Sequence, residues 1–328
     1  MVLSSIAIMP HGAMILDMTM ESLPNIEACQ LLHDACKITS QSIATSLIDS
    51  SKEAVVILFS PHGMSLSESI AVYQNQHIQG SAEWLGAWSE YKVNYEGDSN
   101  LATKLVDHMN ANDLSCEGFT FVTRSFAAPL AWGEAVPLWF LSQEQKKRKL
   151  DHSPCKVIII SWPQLRLQPL EYAATAQAIG RALYAFCTTS VDASSYNFSL
   201  ILSCDMSHVH GNDPLLPSIF QGDPSLGRDA ALASRFDGTI VDWARAVFER
   251  GDSRRGARLL NVAGQDVVAA KACGWSGFNL LQGLLEVAKS EHNMCLQGRV
   301  NGYAAPTYYG MMTAYGNLVM VDTTETLE

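Results

Sequence analysis

Two textures of apolar and polar residues alternate along the chain. Short runs dense in β-branched residues appear at SSIAIM (4–9), AVVILF (54–59), KVIIISW (156–162) and FSLILS (198–203), each flanked by polar or turn-forming residues. Runs of that length and type predict strands. Between them lie longer stretches with helical periodicity, roughly 22–50, 98–112, 134–149, 168–187, 236–250 and 264–290. Strands alternating with helices predict an α/β fold, with a central, mostly parallel sheet flanked by helices. A chain of 328 residues has room for one large domain or two modest ones. The expectation is a single domain over residues 6–320.

Two segments interrupt this pattern. KKRKLDHSP (146–154) reads as the basic, solvated end of a helix, where cations complement the helix dipole. GNDPLLPSIFQGDPSLGRD (211–229) spaces Pro, Gly and Asp as turns do, and predicts a long loop able to cover a site.

Composition narrows the class. Charged residues make up 17% of the chain against 48% hydrophobic, too apolar for a disordered segment. A net charge of −11 argues against a nucleic-acid partner, because phosphate binding needs clustered Lys and Arg. The eight cysteines contain no CxxC pair, which suits free thiols in a reducing compartment. The opening MVLSSIAIMPHG lacks a basic leader, and no apolar run approaches the ~20 residues a membrane span requires. A soluble, cytoplasmic protein is expected, with small molecules as partners, no membrane association, and homo-oligomers as the default assembly.

The strand ends carry the chemistry. The first strand runs into Pro10-His11-Gly12, the second into Pro61-His62-Gly63, and the fourth into SCDMSHVH (203–210). Ligand sites of open α/β sheets lie beyond the carboxyl ends of strands, so these loops predict one histidine-bearing edge. Pro before each His fixes φ, and Gly after it permits a tight turn. Two histidines with one carboxylate form the facial triad of non-heme Fe(II) oxygenases, whose open metal positions do the chemistry. Spacing alone leaves the third donor open. In the third loop Asp205 is placed to orient His208 as a base, whereas His210 reads as incidental. Near the end, YAAPTYYGMMTAYG (303–316) fits a buried sheet edge as well as a pocket wall, with Tyr308 or Tyr309 lining it.

Together the two PHG loops, WGEAVPLWFL (132–141), SCDMSH and RFDGTIVDWARAVFERGD (235–252) resemble the class III extradiol ring-cleavage dioxygenase superfamily. The type is that of the protocatechuate 4,5-dioxygenase beta subunit, to which Memo-like proteins are related; the resemblance runs from residue 6 to about 316. It implies an Fe(II) enzyme of aromatic catabolism that opens a catechol-like or aminophenol-like ring with O2. His11 and His62 then match the iron ligands, and His208 matches the acid/base toward the substrate hydroxyl. The third iron ligand of the family is a Glu on a late helix, and in NVAGQDVVAAKACGWSGFNLLQG (261–283) Asp266 is the carboxylate best placed for it. Trp132 stands where many relatives have His, and its face suits stacking on an aromatic ring. Cys273 resembles the cysteine that Memo-like proteins place at their metal pocket. It thereby raises the alternative of a Memo-like metal- or peptide-binding protein without ring cleavage.

Overall fold

The computed structural model describes residues 3–17, 25–48, 51–84, 86–148, 155–162, 169–189, 195–211 and 229–321. Most of the expected 211–229 loop and the end of the basic 146–154 run lie outside those residues.

The four expected strands form, as β1 (Leu3–Met9), β2 (Glu53–Ser60), β8 (Lys156–Ser161) and β9 (Tyr196–Ser203). They lie side by side in the order β1-β9-β2-β8, all parallel. Alternate residues of these strands enter two different cores. Ile6, Ile8, Val55, Ile57, Phe59, Leu200 and Leu202 point to one face, and Ala7, Met9, Val56, Leu58 and Ile201 to the other. Burial on both faces is why these strands read as continuous apolar runs.

The sheet as a whole is mixed rather than mostly parallel, which corrects the expectation. Beyond β1 lies an antiparallel hairpin of β10 (Met294–Ala304) and β11 (Met311–Met320), with β11 paired antiparallel to β1. Beyond β8 lie β3 (Ile70–Tyr73), paired to it antiparallel, and β6 (Cys116–Phe119), parallel to β3. A smaller sheet joins β4 (His77–Ser81) to β5 (Lys92–Glu96) and β7 (Ala127–Leu130). These added strands are short or partly solvated, so they lack the dense apolar signature of the central four.

Helices cover both faces. On one side pack α1 (Ile26–Ser46) and α3 (Trp132–Lys147). On the other pack α2 (Ser99–Ala111), α4 (Pro169–Thr189), α5 (Ala230–Phe248), α6 (Ser253–Ala263), the single turn α7 (Val267–Ala270) and α8 (Trp275–His292). Side chains of Asn25, Asp98, Asp229 and Asp252 accept the orphan backbone N–H groups that open α1, α2, α5 and α6. The helix expected over 264–290 is broken between α7 and α8, where Lys271 adopts φ 54° and ends the first turn. Among the described residues, no helix is long and apolar enough to cross a membrane.

Candidate metal centre

β1, β9 and β2 are adjacent and parallel, with Met9 in register with Ser203 and Phe59 with Leu202. Their carboxyl ends therefore stand level, and the loops bearing His11, His62 and His208 leave the same edge. The His11 and His62 rings meet edge to face with centroids 4.7 Å apart. The break between α7 and α8 delivers Cys273 to them. One donor atom each from His11, His62 and Cys273 lies within 4.8 Å of the others, and Cys273 Sγ is 3.5 Å from His11 Nε2.

Asp266 is placed elsewhere, which corrects the expected third ligand. Both its oxygens accept from the Arg235 guanidinium, at 2.8 and 2.9 Å, on an open face between α5 and α7. That bidentate pair holds the Asp266 carboxyl below its ordinary range. The residue is seven positions before Cys273 in sequence, but the intervening turn α7 carries the two to different sides.

The His11 ring is fixed by a relay that begins with a proline. Pro137 lies inside α3 and has no N–H, so the carbonyl of Gly133, four residues earlier, has no helical donor. Ser203 Oγ donates to that carbonyl. With its own proton committed, Ser203 Oγ accepts from His11 Nδ1 at 2.9 Å. The tautomer follows: the proton sits on Nδ1, and the Nε2 lone pair faces Cys273. A ligand histidine needs this arrangement, one nitrogen tied down as a donor and the other carrying an unprotonated lone pair.

The second loop is held differently. Ser60 Oγ donates to the fully buried Glu134 and accepts from the His62 backbone N–H at 3.1 Å. Glu134 also accepts from Ala131 N at 3.0 Å, closing the first turn of α3 on itself. Burial raises the Glu134 carboxyl to about 6, although its hydrogen bonds pull the other way. The glycines of both triplets serve close approach rather than turning. Gly12 has an ordinary φ of −64°, and a Cβ there would sit 2.7 Å from the Tyr309 hydroxyl. A Cβ on Gly63 would sit 2.7 Å from Ser161 Oγ.

Asp205 supports His11 rather than His208, a second correction. Its Oδ1 accepts from His11 N at 3.1 Å and its Oδ2 lies 3.2 Å from His11 Nε2. Burial raises this carboxyl to about 8, with the neighbouring Asp237 adding to the shift. At neutral pH the protonated Asp205 can therefore donate to Nε2, as can the Cys273 thiol, which burial likewise keeps protonated. His208 is oriented by the Met206 carbonyl, 2.9 Å from its Nδ1, and stacked on Tyr309. The loop beneath it hangs on Asp237, which accepts from Ser207 N, His210 Nε2 and Tyr303 Oη. His210 is thus a structural partner of a buried carboxylate, not an incidental residue.

All three imidazoles are neutral near pH 7. Burial lowers His62 and His208 to about 4, and burial together with the other two rings holds His11 well below its ordinary value. A cluster of neutral imidazoles beside a thiol is ready to ligate a cation without first losing protons from nitrogen. Trp132, at the start of α3, lies with its ring 5.3 Å from that of His62. Tyr308 and Tyr309 lie against His208, with ring centroids 5.9 and 5.5 Å from its own.

Compared with protein-family models and with curated proteins, the chain matches none. The site therefore stands on its geometry. The sequence singles out His11, His62, His208 and Trp132, with Cys273 as the alternative to Asp266, and the structure places His11, His62 and Cys273 together with Trp132 beside His62. The sequence reading does not single out Ser60, Ser203, Glu134 or Asp237. Their signals are present, as serines beside the histidine loops, a Glu two residues after Trp132, and an Asp inside an apolar helix.

Proposed function

We propose that this protein holds one first-row transition-metal ion through His11, His62 and Cys273, with His208 as a neutral base beside it. The observation that carries this is the convergence of two imidazoles and a thiol, while Asp266 is committed to Arg235. The donor set fits a metal. One imidazole has its tautomer fixed with the ligating nitrogen unprotonated, and a thiolate suits copper or zinc ahead of a hard ion. The Memo-like alternative is thereby preferred to an iron site completed by a carboxylate. A thiol ligand also suits the reducing, cytoplasmic setting expected from the free cysteines.

Three groups would hold the ion, and their own supports restrict where it sits. Asp205 and Ser203 fix His11 from the backbone and the ring, and His208 offers its free Nε2 to a proton on a neighbouring ligand. A bound ion would supply Lewis acidity and lower the pKa of any hydroxyl that ligates it.

Ring cleavage remains the second reading, and His208 favours it. A neutral, partly exposed imidazole beside the donor set is what proton removal from a catechol-like hydroxyl requires. In that case the ion is Fe(II), since zinc does not pass electrons to O2.

Metal content after loading with Cu, Zn or Fe(II), in wild type, Cys273→Ser and Asp266→Ala, tests the first reading. Stoichiometric copper or zinc, lost in Cys273→Ser and kept in Asp266→Ala, is expected; retention in Cys273→Ser or loss in Asp266→Ala would overturn the assignment. Anaerobic loading with Fe(II), followed by O2 uptake and yellow product with catechols and aminophenols, tests the second. Absence of turnover across that panel sets the ring-cleavage reading aside.

A further inference from the structure

The hairpin between β4 and β5 brings a second tryptophan to the mouth of the donor cluster. Trp84 and Trp132 lie with ring centroids 4.3 Å apart, and Trp132 in turn lies 5.3 Å from His62. Three rings thus run in a row from a metal donor outward. All three are partly exposed, whereas His11 at the inner end is 2% exposed, so the row borders the open side of the site.

The hairpin is built to hold Trp84 in place. Trp84 N donates to the Ala87 carbonyl at 3.0 Å and Ala87 N donates back at 3.1 Å, closing a tight turn that Gly86 permits with φ +83°. Gly86 N is further tied to the Glu83 carboxylate at 2.8 Å. Trp88 follows with φ +61°, a left-handed conformation that a bulky residue rarely adopts. Its indole packs against the core beneath, which anchors the turn.

A row of this kind matches a ligand in two parts. Chelating oxygens would reach the donors and the neutral His208, while a second flat, apolar ring would lie against Trp132 and Trp84, whose planes are inclined at 56°, stacked on one indole and edge-on to the other. Indole faces favour offset stacking with such rings and gain little from a small polar ligand. Acidic residues Glu83 and Glu90 in the same hairpin disfavour an anionic tail.

We propose that Trp84 is a specificity-determining residue, and that the site takes a biaryl diol or a similarly extended arene in preference to a single catechol ring. This inference rests on the metal-centre reading above. Its test uses protein loaded with Co(II), whose visible spectrum reports chelation, titrated with 2,3-dihydroxybiphenyl and with catechol. Wild type is expected to bind the biaryl roughly tenfold more tightly, the scale of one good aromatic contact. Trp84→Ala should erase that preference while Co(II) content and catechol affinity stay unchanged, and Trp84→Phe should restore most of it. Equal affinities in wild type, or a preference that survives Trp84→Ala, would overturn this inference alone. Failure of wild type to take up Co(II) would instead overturn the metal-centre reading and this inference with it.

Discussion

The two Pro-His-Gly loops share a triplet and a position at a strand end, yet the protein supports them in different ways. His11 is buried, its ring tied to Ser203, its backbone N–H to Asp205, and its tautomer set by a proline in α3. His62 is partly exposed, with its backbone held by Ser60 and its ring set among those of His11 and Trp132. One loop is a fixed post and the other leans on aromatic neighbours at the entrance. The same local sequence therefore yields a rigid inner donor and a more adaptable outer one, because the difference is written in the strands and helices around them.

The largest effects should come from removing the donors. Both His11→Ala and His62→Ala should lower metal affinity beyond the roughly 100-fold that marks the upper end for supporting residues. Only His11→Ala should also lower the unfolding free energy of the metal-free protein, by on the order of 1–3 kcal/mol in urea titrations, because it leaves buried polar groups without partners. Equal losses of stability in the two variants would remove the distinction drawn here.

Next comes pH. The imidazoles are already neutral above about pH 5, each keeping one N–H and a free lone pair on the other nitrogen, since His62 and His208 sit at about 4 and His11 is lowered as well. The Cys273 thiol, raised by burial, must give up its proton to ligate. Metal affinity should therefore rise about tenfold per pH unit between roughly pH 6 and 8, as one proton is released per ion bound. Calorimetry in buffers of different ionisation enthalpy measures that proton; a flat profile would exclude the thiol as ligand.

Supports follow. Ser203→Ala frees the His11 ring and should cost about 10- to 100-fold in affinity, whereas Ser60→Ala, whose hydroxyl bonds Glu134 and meets His62 only at its backbone N–H, should cost less than about tenfold. Pro137→Ala restores a helical donor to compete for the Gly133 carbonyl. It should weaken metal binding by a few-fold while the melting temperature holds or rises, because a proline inside a helix is unfavourable. The smallest effect belongs to Asp266→Ala, which breaks a partly exposed ion pair and should change stability by under about 1 kcal/mol.

What the sequence makes legible follows the same division. The four central strands are readable because they are buried on both faces, and the histidines because they stand at those strands' ends. The antiparallel hairpin β10–β11 is less so, since residues such as Gln297, Arg299 and Asn301 interrupt any apolar run. Asp266 is the carboxylate to which the family resemblance points. Its commitment to Arg235, on a helix 31 residues earlier, is a tertiary fact with no local trace. Cys273 is legible through the Memo-like resemblance, but periodicity alone makes it filler in a continuous helix; the break between Lys271 and Gly274 is what the local pattern does not show. The role of Ser203 is similarly hidden, as it depends on an N–H missing from a proline 66 residues earlier in the chain.

The position of β1 also governs when the site can exist. Its Ile8 is in register with Leu202 on one side and Ala314 on the other, so this strand is completed by partners far along the chain. Pairings this distant in sequence make folding slow, and a strand apolar on both faces waits unpaired in the growing chain. The two histidine loops and the Cys273 turn are brought to one place only by that closure. An ion consequently joins a finished architecture instead of nucleating it, and the protein should reach its native shape before it acquires a metal.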